Sequence, residues 1–173
     1  EADGVGDRAA LGEEGLVVED LGPLAQQALV LRVGRERLQV PDQRVLRVDL
    51  ERALADFDQA VRLDPKSSTA FNDRGTSHGM RGDNDRAIAD FDAALKLDPK
   101  NAVAFNNRGF AYRNKGETDR AIADFSEAIK INAGYVVALH NRGNAYYEKR
   151  DLDRAIKDYD AAIRLDGNFA AAY

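Results

Sequence analysis

"RAIADF" spans residues 86–91 and returns unchanged at residues 120–125. Close copies stand at 52–57 ("RALADF") and 154–159 ("RAIKDY"), so four copies follow one another at intervals of 34 residues. Within and just after these copies, Ala87, Phe91, Ala94 and Leu95 recur at spacings of four, three and one, which places them on one face of a helix. Ala121, Phe125, Ala128 and Ile129 repeat the arrangement, as do Ala155, Tyr159, Ala162 and Ile163, and before them Ala53, Phe57, Ala60 and Val61. A unit of this size cannot bury its apolar face alone, so copies must stack on one another.

The first half of each unit carries a second pattern: "AFNDRG" at 70–75, "AFNNRG" at 104–109 and "ALHNRG" at 138–143. Phe71, Phe105 and Leu139 are followed four residues later by Gly75, Gly109 and Gly143. A glycine inside a helix costs roughly 1 kcal/mol against alanine, so its return at one place predicts a close approach by the neighbouring helix. Gly82 and Gly116 mark the turn between halves, and Pro65 and Pro99 punctuate the end of the second helix; Ala133 and Gly167 stand where later prolines would be. The expectation is an all-α solenoid of stacked helix-turn-helix hairpins. Its parts are a second helix alone at 49–67, complete units at 68–101, 102–135 and 136–169, and the start of a truncated further unit at 170–173.

The middle unit, with Phe105, Gly109, Tyr112, Ala121 and Phe125 at their fixed offsets, resembles the tetratricopeptide repeat family, and the resemblance extends over residues 49–173. His78 stands where that pattern has tyrosine and reads as a core substitute for it, while Arg74, Arg108 and Arg142 stand where leucine is frequent. The resemblance implies that the solenoid is right-handed and that the chain is a protein-interaction module with no catalysis, no cofactor and no bound metal. It also implies that certain first-helix positions line a concave groove that takes an extended peptide or a helix of a partner. On that basis the groove holds Asn72, Asp73 and Thr76 from the first unit and Asn106, Asn107, Phe110, Arg113 and Asn114 from the second. The third unit contributes His140, Asn141, Asn144 and Tyr147. Asparagine amides offer both donors and acceptors to a peptide backbone without dictating its side chains, and Asn107 and Asn141 occupy the same position in successive units. The family's clamp for an acidic chaperone tail needs a lysine where this chain has Asn72 and Asn106, so that mode is not expected.

The remaining features exclude more than they assign. With 25 Lys and Arg against 30 Asp and Glu, the net charge is −5 and both signs are interspersed, so there is no basic footprint for nucleic acid. The longest apolar run, near Leu21–Val33, is broken by Pro23, Gln26, Gln27 and Arg32 and falls short of the about 20 residues that span a bilayer. Cysteine is absent and leaves the compartment open, with cytoplasm preferred. His78 and His140 have no nucleophile at a suggestive spacing, and "RGD" at 81–83 reads as turn chemistry around Gly82. Arg86 with Asp90, Arg120 with Asp124 and Arg154 with Asp158 read as i,i+4 pairs on the solvated surface, as do Asp92 with Lys96 and Asp160 with Arg164.

Both ends depart from the pattern. Residues 1–56 use nine residue types only, all encodable by codons that start with G or C, and Pro41 would sit inside the missing first helix at 34–48. Residues 1–48 therefore read as a poorly ordered non-repeat segment or as a mistranslated one. At the other end an uncapped last unit would permit self-association. Two alternative roles follow: an accessory segment of a larger enzyme, or an architectural, self-associating fragment.

Overall fold

The computed structural model describes residues 43–166, with side chains from residue 50. The readings made for residues 1–42 and 167–173 lie outside the described residues. Seven helices follow in order: α1 Gln43–Leu63, α2 Ser68–Met80, α3 Asn84–Leu97, α4 Ala102–Asn114, α5 Thr118–Ile131, α6 Val136–Glu148 and α7 Leu152–Leu165. No strand occurs among the described residues. α1 begins at Gln43, ahead of the residue 49 at which the repeat period would start it.

The helix ends follow local chemistry. Ser67 and Asn101 accept hydrogen bonds from the Ala70 and Ala104 amides, capping α2 and α4, while Asp83 and Asp151 do the same for the Arg86 and Arg154 amides of α3 and α7. Between the two helices of each hairpin one residue takes a left-handed conformation: Gly82 with φ +83°, Gly116 with φ +77° and, in the third unit, Arg150 with φ +63°. Arginine at that place carries a strain that glycine avoids.

α2 packs on α3, α4 on α5 and α6 on α7, and each hairpin then stacks on the next through α3–α4 and α5–α6. The tight step lies inside each hairpin. A Cβ built on Gly75 would fall 2.8 Å from the Phe91 ring, one on Gly109 2.8 Å from Phe125, and one on Gly143 2.6 Å from Tyr159. Real Cβ atoms do not come so close to a ring. The recurring glycine is therefore the place where the second helix presses its aromatic ring onto the first, and Phe91 and Phe125 are among the largest fully buried side chains. The small Ala87, Ala94, Ala121 and Ala128 are fully buried on the same face.

The charges overturn the expected i,i+4 pairing on a solvated surface. Asp90, Asp124 and Asp158 are buried, and each receives two hydrogen bonds from an arginine sixteen residues earlier. Arg108 donates through Nε and Nη2 to Asp124 at 2.8 and 2.7 Å, and Arg142 donates to Asp158 at 2.7 Å through both nitrogens. The third guanidinium nitrogen reaches the preceding unit: Arg74 Nη1 to Asp58 at 3.0 Å, Arg108 to Asp92 at 2.6 Å, Arg142 to the Ser126 hydroxyl at 3.1 Å. Arginine replaces the frequent leucine because a planar fork can satisfy a buried carboxylate and still span two units. Hydrogen bonds donated to the aspartates hold the pKa of Arg74, Arg108 and Arg142 above its ordinary value. Arg86, Arg120 and Arg154 turn instead to Asp83, Glu117 and Asp151 at the helix starts.

His78 occupies the slot filled by Tyr112 and Tyr146 in later units. It is largely buried, with Nε2 3.9 Å from Asp90, and burial lowers its pKa, so the ring is neutral at pH 7.

The two carboxylates on one arginine give an internal comparison. Asp124→Ala leaves a half-buried guanidinium without its fork and is predicted to cost about 2–4 kcal/mol. Asp92→Ala, at a side chain 53% exposed, is predicted to cost under about 1 kcal/mol. Urea unfolding of both variants checks this, and equal losses would contradict it.

Candidate functional site

First helices of neighbouring units touch one another directly, α2 with α4 and α4 with α6, more closely than second helices do. The residues expected in the groove all lie on these first helices. The structure sorts those residues into three sets.

The first is a chain of side-chain amides running across the units. Asn141 Nδ2 donates to Asn106 Oδ1 at 3.0 Å. Asn106 Nδ2 donates to Asn107 Oδ1 at 3.4 Å, and Asn107 Nδ2 in turn reaches Asn72 Oδ1 and Thr76 Oγ1, both at 3.3 Å. Asn72 Nδ2 closes the run on Asp73 Oδ1 at 3.2 Å. Asn72, Asn106, Asn107 and Asn141 are buried, the last only 1% exposed. These amides are thus inter-unit fasteners, because a buried amide must find partners and its nearest ones are the amides of the adjacent unit. An asparagine has two donors and two acceptor lone pairs, so these single bonds leave part of its capacity unspent.

The second set centres on Arg113, whose guanidinium lies over the Phe110 ring at 5.6 Å and whose Nε pairs with Glu148 at 2.9 Å. Phe110 itself packs against the core around Tyr112 and Phe125. In the third set Tyr159 donates its hydroxyl to Asn144 Oδ1 at 2.7 Å, Asn144 Nδ2 lies 3.4 Å from His140 Nδ1, and the His140 and Tyr159 rings stand 5.7 Å apart. Burial, then the nearby Arg113 charge, lowers the His140 pKa and keeps its ring neutral. Asn114 and Tyr147 join none of these sets; both are exposed, Tyr147 by 57%.

Chemically this face offers amides, a neutral imidazole, one neutralised guanidinium and exposed apolar side chains. The hydroxyls of Ser68, Thr76, Ser77 and Ser126 donate to main-chain carbonyls, so none is presented to a base as a nucleophile. No group of three metal-ligating side chains stands together among the described residues. Two regularities were missed in the sequence: the arginine–aspartate offset of sixteen residues in all three units, and asparagine pairs 35 residues apart at 72/107 and 106/141. Both were visible as constant offsets, but a search confined to neighbours on one helix passes over them.

Asn107→Ala removes the donor shared by Asn72 and Thr76 and leaves buried acceptors unpaired. The expected loss of stability is about 1–3 kcal/mol, measured by urea unfolding. A change below about 0.5 kcal/mol would mean the amide chain fastens nothing.

Family models described as tetratricopeptide repeat match residues 48–102, 72–136 and 136–169. No curated protein matches in sequence. Among solved structures, the crystal structure of MamA protein superposes with a TM-score of 0.63 at 28% identity, covering 70% of this chain and 67% of that one. The first TPR of Spaghetti (RPAP3) bound to HSP90 peptide SRMEEVD gives 0.58 at 28% identity, over 61% of this chain and 83% of that one. Its second TPR, bound to the same peptide, gives 0.56 at 27%, over 57% and 92%. With its stacked hairpins and these matches over most of its length, the chain belongs to the tetratricopeptide repeat family and is a protein-interaction module.

Proposed function

We propose that the first-helix face binds an extended peptide, or a helix, of a partner protein, through apolar anchors set beside the amide chain. The carrying observation is the exposure of large apolar side chains on the first helices: Met80 by 49%, Val103 by 45% and Tyr147 by 57%. They stand beside an amide array whose geometry is fixed by its own cross-unit bonds. A receptor already ordered spends little entropy on binding, and exposed tyrosines make effective anchors because their large rings have few torsions to freeze. The buried amides hold the units in register, so affinity and selectivity rest on the exposed apolar anchors and the pockets around them.

The peptide in both Spaghetti structures, SRMEEVD, is acidic at its end. Here the first-helix face presents Asn72, Asn106 and His140 at the place of the family's clamping lysine, and Arg113 is already neutralised by Glu148. The groove of this chain therefore favours an occupant without clustered carboxylates.

Peptides selected from a random phage-displayed library on the full chain test this reading. The double substitution Val103→Ser with Tyr147→Ala is expected to weaken the selected peptides at least tenfold, while the far-UV circular dichroism stays unchanged. SRMEEVD, used as a probe, is expected to bind far more weakly than the selected sequences. Unchanged affinity in the double variant would dispose of the groove, and tight SRMEEVD binding would dispose of its stated preference.

A further inference from the structure

The three arginine forks differ in what their third nitrogen meets. Arg74 reaches Asp58 and Arg108 reaches Asp92, both acids on the preceding second helix. Arg142 reaches Ser126, the residue one period after Asp92. Its outer nitrogen therefore faces a neutral hydroxyl where the two earlier junctions place a carboxylate. Ser126 Oγ donates its own proton to the Ile122 carbonyl at 2.7 Å.

Beside Asp92 lies an open cleft of about 310 Å³, lined by Asp92, Arg108, Tyr112, Arg120, Ala123 and Asp124. That is near the lower end of the roughly 300–1,000 Å³ usual for small-ligand sites. The frame of the cleft recurs one period on: Arg142 and Arg154 flank the Tyr146 ring at 6.0 and 4.4 Å, as Arg108 and Arg120 flank Tyr112 at 5.9 and 3.9 Å. The charges do not recur. Lys157 stands where Ala123 lines the earlier cleft; it is exposed and forms no hydrogen bond or ion pair among the described residues. In the earlier cleft Asp92, Asp124 and Glu117 outnumber Arg108 and Arg120. In the later one Arg142, Arg154 and Lys157 outnumber Asp158 and Asp151. An acidic cleft has become a basic one, in a chain whose net charge is −5.

We infer that the cleft formed by α5, α6 and α7 is a binding site for a phosphate dianion, held by Arg142, Lys157 and Arg154 beside Ser126. At two junctions an anionic oxygen already sits against the arginine's outer nitrogen, which fixes where the ligand's first oxygen goes. Lys157 brings a full charge with three donors, and Arg154 turns Nε and Nη2 to Asp151, which leaves Nη1 as a further donor. A phosphate group carries about −1.5 to −2 charges and three acceptor oxygens, so it answers several donors and a surplus of positive charge more fully than a carboxylate does. The dianion arrives either as free phosphate or as a phosphorylated side chain of a partner protein, since both present the same oxygens. Ser126 and Lys157 lie on second helices, so the site is separate from the first-helix groove.

Isothermal titration of the full chain tests this with three probes: inorganic phosphate, the tripeptide glycyl-phosphoseryl-glycine, and the same tripeptide without its phosphate. Saturable one-to-one binding that weakens with salt is expected for the phosphorylated probes and none for the third. Lys157→Ala and Ser126→Asp each return the cleft toward the composition of the earlier one, and each should weaken binding about tenfold. Asp92→Ser combined with Ala123→Lys should build a second site and double the stoichiometry. Urea unfolding of these variants guards against misfolding, and Tyr147→Ala, on the first-helix face, should leave phosphate binding unchanged. A phosphopeptide that binds at least tenfold more tightly than inorganic phosphate supports the site with a partner as the source, and equal affinities support it with free phosphate as the source. The inference is overturned if no phosphorylated probe binds saturably up to millimolar concentration, or if Lys157→Ala and Ser126→Asp both retain full affinity. An unphosphorylated tripeptide that binds as tightly as the phosphorylated one also overturns it, as does an unchanged stoichiometry in the double variant.

Discussion

Everything in this array rests on a ring pressed against a glycine. Phe91, Phe125 and Tyr159 each sit where any side chain on Gly75, Gly109 or Gly143 would collide with them, at distances of 2.6–2.8 Å for a bare Cβ. Giving up helix propensity at three interior positions costs roughly 1 kcal/mol each. The return is a short interhelical distance and nearly complete burial of Phe91 and Phe125. That distance sets the pitch of each hairpin, and the pitch sets which side chains of adjacent hairpins meet.

Two polar systems then couple the hairpins. Arginines reach backward and forward at once, closing on a buried aspartate in their own unit and on an acid or hydroxyl of the unit before. Asparagine amides link the first helices from Asn141 through to Asp73. Buried ion pairs contribute little net stability against apolar packing, but they penalise any arrangement that leaves one charge alone. Register is therefore what these residues specify. A stack with fixed register presents a fixed surface, and a fixed surface is what an interaction module uses.

The period, the hairpin, the glycine contact and the turn residues were legible in the sequence because each depends on residues close together along the chain. Gly75, Gly109 and Gly143 stood out through their cost inside a helix, and Gly82 and Gly116 through their place between two apolar runs. The partners of charged residues were not legible. Arg86 and Asp90 are well placed for an i,i+4 pair, yet Asp90 is taken by Arg74 because burial of the aspartate makes a forked donor from the other helix the better partner. The asparagines read as groove lining, but they are buried against one another, and their mutual bonds depend on how units stack. No single-helix pattern contains that information.

The most direct measurement is the unfolding free energy of Gly109→Ala. If Gly109 were an ordinary helical glycine, alanine would raise stability by about 1 kcal/mol through propensity alone. The contact with Phe125 predicts the opposite sign, a loss of about 1–3 kcal/mol from overpacking. A stabilised variant would contradict the account.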